Sequence, residues 1–196
     1  MGEIDPEQLT QSWDTDDYAG AGVWLKGELM PRGVALAQPP GVRSCGRDGE
    51  RGSGGEWFHC RGPRPRSLNY WITELEALLI RCSAADRKVL KSELKRMMKG
   101  AEQGTLRFGR GEDVDQMVTA PTILELRIHR NVGVTVGLGP VEEDDGSRVV
   151  RLYFTEPEHC DRMLLSAKLG WKHPMGKEEQ NAHAREAADR VKAYFA

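Results

Sequence analysis

Three short runs in the second half of the chain alternate apolar and polar residues with a period of two. They cover residues 123–129, 149–154 and 163–168. Because successive side chains of a strand point to opposite faces, each run predicts a strand with one apolar and one polar face. The first run is the clearest, with alternating apolar and polar positions at Leu124, Glu125, Leu126, Arg127, Ile128 and His129.

Placed side by side, the three strands would gather their polar positions on one face of a sheet. In the third run Ser166 is expected on the same face as Lys168. Cationic groups suit a phosphate, because they donate charge-assisted hydrogen bonds to its oxygens. An antiparallel sheet with one solvated face shows the same alternation without any function, so both interpretations stay open. The residues expected to meet on this face are Arg127, His129, Arg151, Tyr153 and Lys168.

Helical periodicity appears on both sides of these runs. Apolar residues recur at helical spacing over residues 68–82. A second helix is predicted to begin at Ser83, whose hydroxyl can cap it, and to stop near Gly100 or Gly104. A third, alanine-rich amphipathic helix is expected over residues 177–195, and its thin apolar stripe suits docking at the edge of the domain or covering by a partner.

The remaining segments carry weaker signals. Residues 57–60 favour a short first strand, 106–117 a loop, and 132–138 a strand that extends or pairs with the first run. The Asp-Gly pair that closes the acidic stretch 142–146 predicts a hairpin turn. Together the patterns predict an α+β fold in which a helical hairpin packs on a small, mainly antiparallel sheet, with a C-terminal helix after it.

Residues 1–55 differ from the rest of the chain. The stretch 39–55 is rich in glycine, proline and charged residues. It can therefore bury too little apolar surface to offset the conformational entropy lost on ordering. We therefore predict a flexible or weakly structured N-terminal extension over residues 1–55 and one folded domain over residues 56–196.

Composition limits the function classes. The chain has 28 Lys and Arg against 30 Asp and Glu, so any contact with RNA must be local. The four cysteines include no Cys-x-x-Cys pair, and neither a metal nor a cofactor is expected. The sequence has no apolar run that approaches the ~18 residues of a membrane span, so we expect a cytoplasmic protein without membrane contact.

The order of these runs resembles the sheet of the RelE/ParE superfamily of bacterial toxins, closest to the HigB branch. A family strand of the type Leu-x-Glu-Leu-Arg matches residues 124–127, and an Arg-Leu-x-Phe strand matches residues 151–154. The third run, ending at Lys168, matches a third strand that ends in a small or basic cluster. The resemblance covers residues 68–195. The chain departs from the family in the Leu-Leu-Ser-Ala-Lys sequence of its third strand and in the length of the segment 130–146.

The resemblance implies the toxin of a type II toxin–antitoxin pair, acting as a metal-independent, ribosome-dependent mRNA endoribonuclease. The implied partners are an antitoxin protein, the ribosome and mRNA. Since RNA carries its own nucleophile, the 2′-hydroxyl, cleavage needs alignment, charge neutralisation and proton transfer. Arg127 and Arg151 are expected to face solvent and to stabilise the negative charge that grows on the scissile phosphate.

The other roles follow from side-chain chemistry. His129 is predicted to transfer a proton, with His173 as the competing candidate. Lys168 is expected to protonate the leaving 5′-oxygen or to bind phosphate, and Tyr153 to stack on a base. Glu125 is expected to form an ion pair with Arg127. Further substrate contacts are assigned to Lys172, His173, Lys91 and Lys95, although a solvated helix face explains the last two equally well.

Two other function classes stay open. One is a ParE-like inhibitor of DNA gyrase, and the other is a non-enzymatic binding module that has kept the RelE scaffold. Cationic residues on matching strand faces favour the nuclease, whereas the departures in the third strand and in the segment 130–146 favour the binding module.

Overall fold

The computed structural model describes residues 44–47, 54–62, 69–133 and 147–196, with the backbone alone at 130–133 and 147. Within these ranges the fold is α+β, as predicted. The elements in chain order are β1 (Glu56–His59), α1 (Tyr70–Ile80), α2 (Ala84–Glu102), β2 (Val114–Gln116), β3 (Leu124–Gly133), β4 (Ser147–Thr155), β5 (Met163–Lys172) and α3 (Lys177–Phe195).

The strands form one mixed sheet in the order β1-β5-β4-β3-β2. The first strand runs parallel to β5, and the other neighbours are antiparallel. Strands β3, β4 and β5 are the three alternating runs of the sequence, and they are neighbours as expected. The predicted turn over 142–146 and the strand residues 134–138 lie outside the described residues.

Strand β2 lies in a segment predicted to be a loop, and that prediction is wrong. Val114 pairs with Leu126, and Gln116 with Leu124. The strand has three residues, which is too short for an alternation that a sequence pattern can detect. It adds an antiparallel neighbour to β3 at the edge of the sheet.

A β-bulge in β5 corrects the predicted alternation of the third run. Tyr153 lies opposite Lys168, whereas Phe154, the next residue, lies opposite Ser166. One extra residue, Ala167, therefore interrupts the period of two, as bulges do. Ser166 and Lys168 consequently face opposite sides of the sheet rather than the same side.

The two faces of the sheet are covered by different helices. On the apolar face Trp57 packs edge-on against Phe154 and donates from Nε1 to the Met98 carbonyl of α2 at 3.0 Å. The α1–α2 hairpin therefore covers this face, as predicted. On the polar face α3 packs over β4 and β5, with the His183 ring 5.8 Å from the Tyr153 ring. The sheet is the middle of three layers.

Local sequence explains where the hairpin helices begin. The Asn69 side chain accepts a hydrogen bond from the Trp71 amide at 2.8 Å, and Ser83 Oγ accepts one from the Asp86 amide at 3.1 Å. These side chains satisfy amides that the first turn of a helix leaves without a carbonyl partner. The prediction that Ser83 caps the second helix is confirmed. Helix α2 continues through Gly100, where a Cβ would lie 2.7 Å from Cδ2 of Leu106.

Residues 44–47 lie against the folded body. The buried Glu156 carboxylate accepts hydrogen bonds from the amides of Ser44 and Cys45, at 2.6 and 3.2 Å. The Arg47 amide donates to the Leu106 carbonyl at 2.9 Å. Packing contacts thus begin upstream of residue 56, while the division of the chain at that residue stays a prediction.

A buried histidine joins β1 to the hairpin and gives the fold a pH dependence. His59 is 8 % exposed, stacks on Trp71 at 5.4 Å between ring centroids, and places Nδ1 2.8 Å from Oγ of Ser166. Burial, with a smaller contribution from the charge of Arg61, lowers the pKa of His59 to about 3. The ring is therefore neutral in the folded protein throughout the mildly acidic range.

We expect the free energy of unfolding to fall as the pH drops from about 6.5 towards 3. Over that window the unfolded chain binds a proton at His59 and the folded chain does not, so protonation favours unfolding. His59 alone contributes a slope of up to about 1.4 kcal/mol per pH unit. Urea denaturation of wild type and His59→Gln at several pH values between 4 and 7 measures this slope. Equal slopes in the two proteins would contradict the assignment.

Candidate functional site

Register across β3, β4 and β5 gathers charged residues on one side of the sheet. Arg127 lies opposite Arg151, and Tyr153 lies between Glu125 and Lys168. Lys172 joins the next row through its pairing with Val149. We call this group the cationic face; its members are Glu125, Arg127, Arg151, Tyr153, Lys168 and Lys172.

The two arginines of the cationic face are directly opposed across β3 and β4. Like charges at such positions repel, which destabilises a sheet. Glu125, only 1 % exposed, offsets the repulsion. Its Oε2 lies 3.1 Å from Nε of Arg127, and its Oε1 lies 3.2 Å from Nε of Arg151. The ion pair predicted between Glu125 and Arg127 is confirmed. Asp115 of β2 adds a second carboxylate, 2.7 Å from Nη2 of Arg127.

Arg151 has fewer carboxylate contacts than Arg127, which has two. Its Nη1 donates to the carbonyl oxygens of Val150 and Ile128, at 2.9 and 3.2 Å. Its Nε lies close to Glu125 but without the geometry of a hydrogen bond. Burial lowers the pKa of Arg151 below its ordinary value, and the opposing charge of Glu125 acts against this effect.

The cationic face is covered, which differs from the expectation that its arginines lie in solvent. The side chains of Arg127 and Arg151 are 15 % and 14 % exposed, and Tyr153 is fully buried. The physical reason is the position of α3, whose Gln180 Nε2 donates to Oε1 of Glu125 at 2.8 Å. The pattern of small residues on α3 had indicated an edge or a partner surface instead. With α3 in this position, Tyr153 does not reach a base.

Lys168 belongs to an ion-pair network where α1 and α3 meet at the edge of β5. Its Nζ lies 2.8 Å from Glu74 of α1 and 3.0 Å from Glu186 of α3. Arg190 of α3 pairs with both carboxylates. The charge of Lys168 is therefore matched within the protein.

The same network satisfies backbone groups of β5. Strand β1 ends opposite Ser166. Beyond that point Glu74 accepts a hydrogen bond from the Leu169 amide at 2.7 Å, and Arg190 donates to the Ala167 carbonyl at 2.9 Å. Side chains thus take over the role of a neighbouring strand at this edge.

Lys172 and His173 follow each other at the end of β5 but lie in different surroundings. Lys172 is 6 % exposed, and its Nζ donates to the carbonyls of Pro174 and His173, at 3.1 and 3.4 Å. Burial and the nearby charge of Arg151 lower its pKa. His173 is exposed, and its backbone amide donates to Glu179 of α3 at 2.8 Å. Of these two neighbouring residues, Lys172 is therefore buried and His173 is exposed.

The other predicted site residues lie elsewhere. His129 is at the β2 side of the sheet, where its Nε2 is 3.0 Å from Oδ1 of Asp113. A register shift after Arg127 separates it from the rows of the cationic face. Lys91 and Lys95 are on α2, which covers the opposite face of the sheet. The structure therefore brings together Arg127, Arg151, Tyr153, Lys168 and Lys172, and leaves His129, Lys91 and Lys95 apart.

His183 is a residue of this region that the sequence pattern did not indicate. It lies against Tyr153 on one side and Gly170 on the other. A Cβ at Gly170 would lie 2.8 Å from Cε1 of the imidazole, so the glycine is needed for the ring to fit. A glycine within a strand is the signal that could have pointed to such a close approach.

Metal chemistry has no candidate among the residues that the structure describes, since these contain no cluster of three or more His, Cys, Asp or Glu side chains able to hold an ion. In the same part of the chain, none of the helices has the length and apolarity needed to cross a membrane.

No protein-family model, curated protein or solved structure matches the chain.

Proposed function

We propose that the chain has a RelE-like fold and is the toxin of a type II toxin–antitoxin pair, a ribosome-dependent mRNA endoribonuclease of the HigB type. Arg127 and Arg151 bind the scissile phosphate of mRNA in the ribosomal A site and neutralise the charge of the transition state. The proposed partners are the ribosome with its mRNA and an antitoxin protein that holds the toxin inactive.

The observation that carries this proposal is the direct opposition of Arg127 and Arg151 on neighbouring strands. Two guanidinium groups at such positions destabilise the sheet, whereas a guanidinium carries a fork of donors whose geometry matches phosphate oxygens. Lys172 adds a third cation whose pKa is lowered by burial and by Arg151. Charged groups with perturbed pKa values that gather at one place are typical of functional sites.

The order of elements also supports the proposal. The resemblance implies a first strand, a helical hairpin on one side of the sheet, three further strands and a terminal helix. Strand β1, the α1–α2 hairpin, the antiparallel strands β3 to β5 and α3 follow that order. Strand β2 is an additional element at the sheet edge.

A non-enzymatic binding module on the same scaffold is the second candidate. It is favoured by the carboxylates that already contact the arginines, Glu125 on both and Asp115 on Arg127. In such a module the opposed arginines serve the fold rather than a substrate. This candidate and the nuclease differ in whether bound mRNA is cut.

The test is expression of the full chain from an inducible promoter, followed by mapping of new ends in ribosome-bound mRNA. We expect translation to stop and cuts to appear within codons at the A site. The arginine variant Arg151→Ala should leave the same transcripts whole, because it removes a donor to the transition state. A supercoiling assay with purified DNA gyrase tests the ParE-like alternative on the same protein.

Whole transcripts in cells that make folded wild-type protein and continue to grow would contradict the nuclease. Ribosomes or mRNA that bind the protein without being cut would support the binding module. Loss of supercoiling activity in the gyrase assay would instead move the function to the ParE-like class.

A further inference from the structure

The first two turns of α3, residues 177–183, differ from the rest of the helix. The buried apolar side chains of α3 all lie beyond these turns, at Ala184, Ala187, Val191 and Phe195. The N-cap residue is Gly176, and among the described residues no side chain caps the first amides. Neither apolar burial nor a side-chain cap therefore holds this end of the helix in place.

Polar contacts attach these two turns to the strands below. Nε2 of Gln180 donates to Oε1 of Glu125 at 2.8 Å. Oγ1 of Thr119 donates to Oδ1 of Asn181 at 3.3 Å, at an exposed position beyond the end of β2. The bond between Gln180 and Glu125 is thus the hydrogen bond that ties the start of α3 to the cationic face.

The second half of α3 is anchored more firmly. Arg190 pairs with Glu74 of α1 at 2.7 Å, and its guanidinium lies 3.8 Å from the centre of the Tyr70 ring. Glu186 pairs with Lys168 of β5 at 3.0 Å. With the buried apolar side chains, these contacts can keep the second half of the helix on the sheet when the first turns lift.

The closed position of the first two turns leaves polar atoms buried without partners. Among the described residues these atoms are Nε of Arg151, Oη of Tyr153, Nδ1 of His183 and, further along β4, Oγ1 of Thr155. The rings of Tyr153 and His183 are 5.8 Å apart, and Tyr153 is fully buried. Such atoms give up hydrogen bonds to water and gain none in the protein, which disfavours the closed position.

The closed position also conflicts with binding by the arginines. Oε1 of Glu125 lies 3.2 Å from Nε of Arg151 without the geometry of a hydrogen bond, and it accepts from Gln180 instead. The side chains of Arg127 and Arg151 are only 15 % and 14 % exposed. A phosphate of RNA therefore cannot reach both guanidinium groups while the start of α3 is in place.

We propose that residues 177–183 are an autoinhibitory lid, which lifts by unwinding from the N-terminal end of α3 while the rest of the helix stays docked. Lifting breaks the bond between Gln180 and Glu125, gives water access to the buried polar atoms and uncovers Arg127 and Arg151. The lid itself does not depend on what the arginines bind. That its opening admits mRNA rests on the proposed function.

The experiment is hydrogen exchange of backbone amides, resolved by residue with NMR, in the full chain near pH 7. Amides 181–187 report on the lid, because their helical acceptors are the carbonyls of residues 177–183. Amides 188–191, whose acceptors lie in the anchored half, are the reference. We expect the lid amides to exchange at least about 100-fold faster than the reference, since few buried contacts hold them. Equal exchange in the two groups would overturn the lid, because α3 would then open only as a unit.

Two variants should move the lid in opposite directions. Gln180→Ala removes the hydrogen bond to the Glu125 carboxylate and should speed exchange of the lid amides about tenfold or more. Alanine is the better helix former, so helix propensity acts against this result. Tyr153→Phe removes a buried hydroxyl that has no partner, and it should slow the same amides about fivefold or more, because closure no longer buries that group.

Lys192→Ala is the control for both variants. Lys192 forms an exposed ion pair with Asp189 at 3.6 Å, in the anchored half of α3. Its loss should leave the lid amides as they are in wild type. If Gln180→Ala and Tyr153→Phe were equally silent, the contacts beneath the lid would not govern its opening, and the proposal would fail.

Cleavage of ribosome-bound mRNA tests the inhibitory role. Because only the open form admits substrate, Gln180→Ala should cut faster than wild type by the factor that its exchange shows for the lid. Faster exchange without faster cutting, in a protein that does cut, would reject autoinhibition. A lid that opens as expected in a protein that cuts no mRNA would reject the nuclease and retain the lid.

Discussion

Replacement of Glu125 by alanine is expected to lower the free energy of unfolding by about 3–5 kcal/mol, the usual effect of breaking a buried ion pair from one side. The carboxylate is almost completely buried between Arg127 and Arg151 and also accepts from Gln180. Without it the two guanidinium groups face each other at opposed strand positions. Urea denaturation at pH 7 of wild type and Glu125→Ala measures the loss.

Glu112→Ala is the control for this prediction. Glu112 pairs with Arg107 at 3.1 Å, but both side chains are largely exposed. Solvent screens exposed ion pairs, which therefore contribute little to stability, so this variant should remain close to wild type. If Glu125→Ala were as mild as Glu112→Ala, water would have to screen the arginines, and the argument from their repulsion would fail.

Arg127→Ala and Arg151→Ala are each expected to slow single-turnover cleavage of ribosome-bound mRNA by at least about 100-fold. This is the typical effect of removing one donor that stabilises a transition state. Arg151→Lys should give an intermediate rate, because lysine keeps the charge but lacks the planar fork of donors. The measurement is the rate of appearance of cut transcript at saturating protein.

Arg96→Ala provides a matched loss of an arginine outside the site. Arg96 is exposed on α2 and pairs with Glu93 at 2.9 Å, on the side of the sheet opposite the cationic face. It should cleave at the wild-type rate. Melting temperatures of all the variants separate lost chemistry from lost fold. Cleavage unchanged by both site replacements, in folded protein, would move the function to the binding module.

The central strands could be predicted because their sequence carries the geometry of the pleat. In β3 apolar and polar residues alternate over residues 124–129, and Arg127 and Arg151 fall on one face in the structure as in the pattern. The helices could be predicted for a similar reason, since apolar spacing and the Ser83 cap mark their positions. Local pattern was sufficient wherever local geometry decides the structure.

Features set by tertiary contacts were not predictable. The bulge at Ala167 turns Ser166 to the apolar face, where its hydroxyl meets His59. The sequence of residues 163–168 contains no signal that predicts this bulge. Alternation also does not say which layer covers each face, so the arginines were expected in solvent although α3 covers them. For the same reason the pattern missed His183, whose place depends on space above Gly170.

The pairing of β1 with β5 has a consequence for the order of folding. The His59–Ser166 contact joins residues 107 positions apart in the chain. Closing so long a loop is slow compared with forming a helical hairpin. During synthesis the α1–α2 hairpin can form early, but β1 cannot pair until β5 has left the ribosome. Strand β4, which carries Arg151, leaves the ribosome before β5, and α3 follows directly after β5. The helix that covers Arg151 is therefore available almost as soon as the sheet is complete.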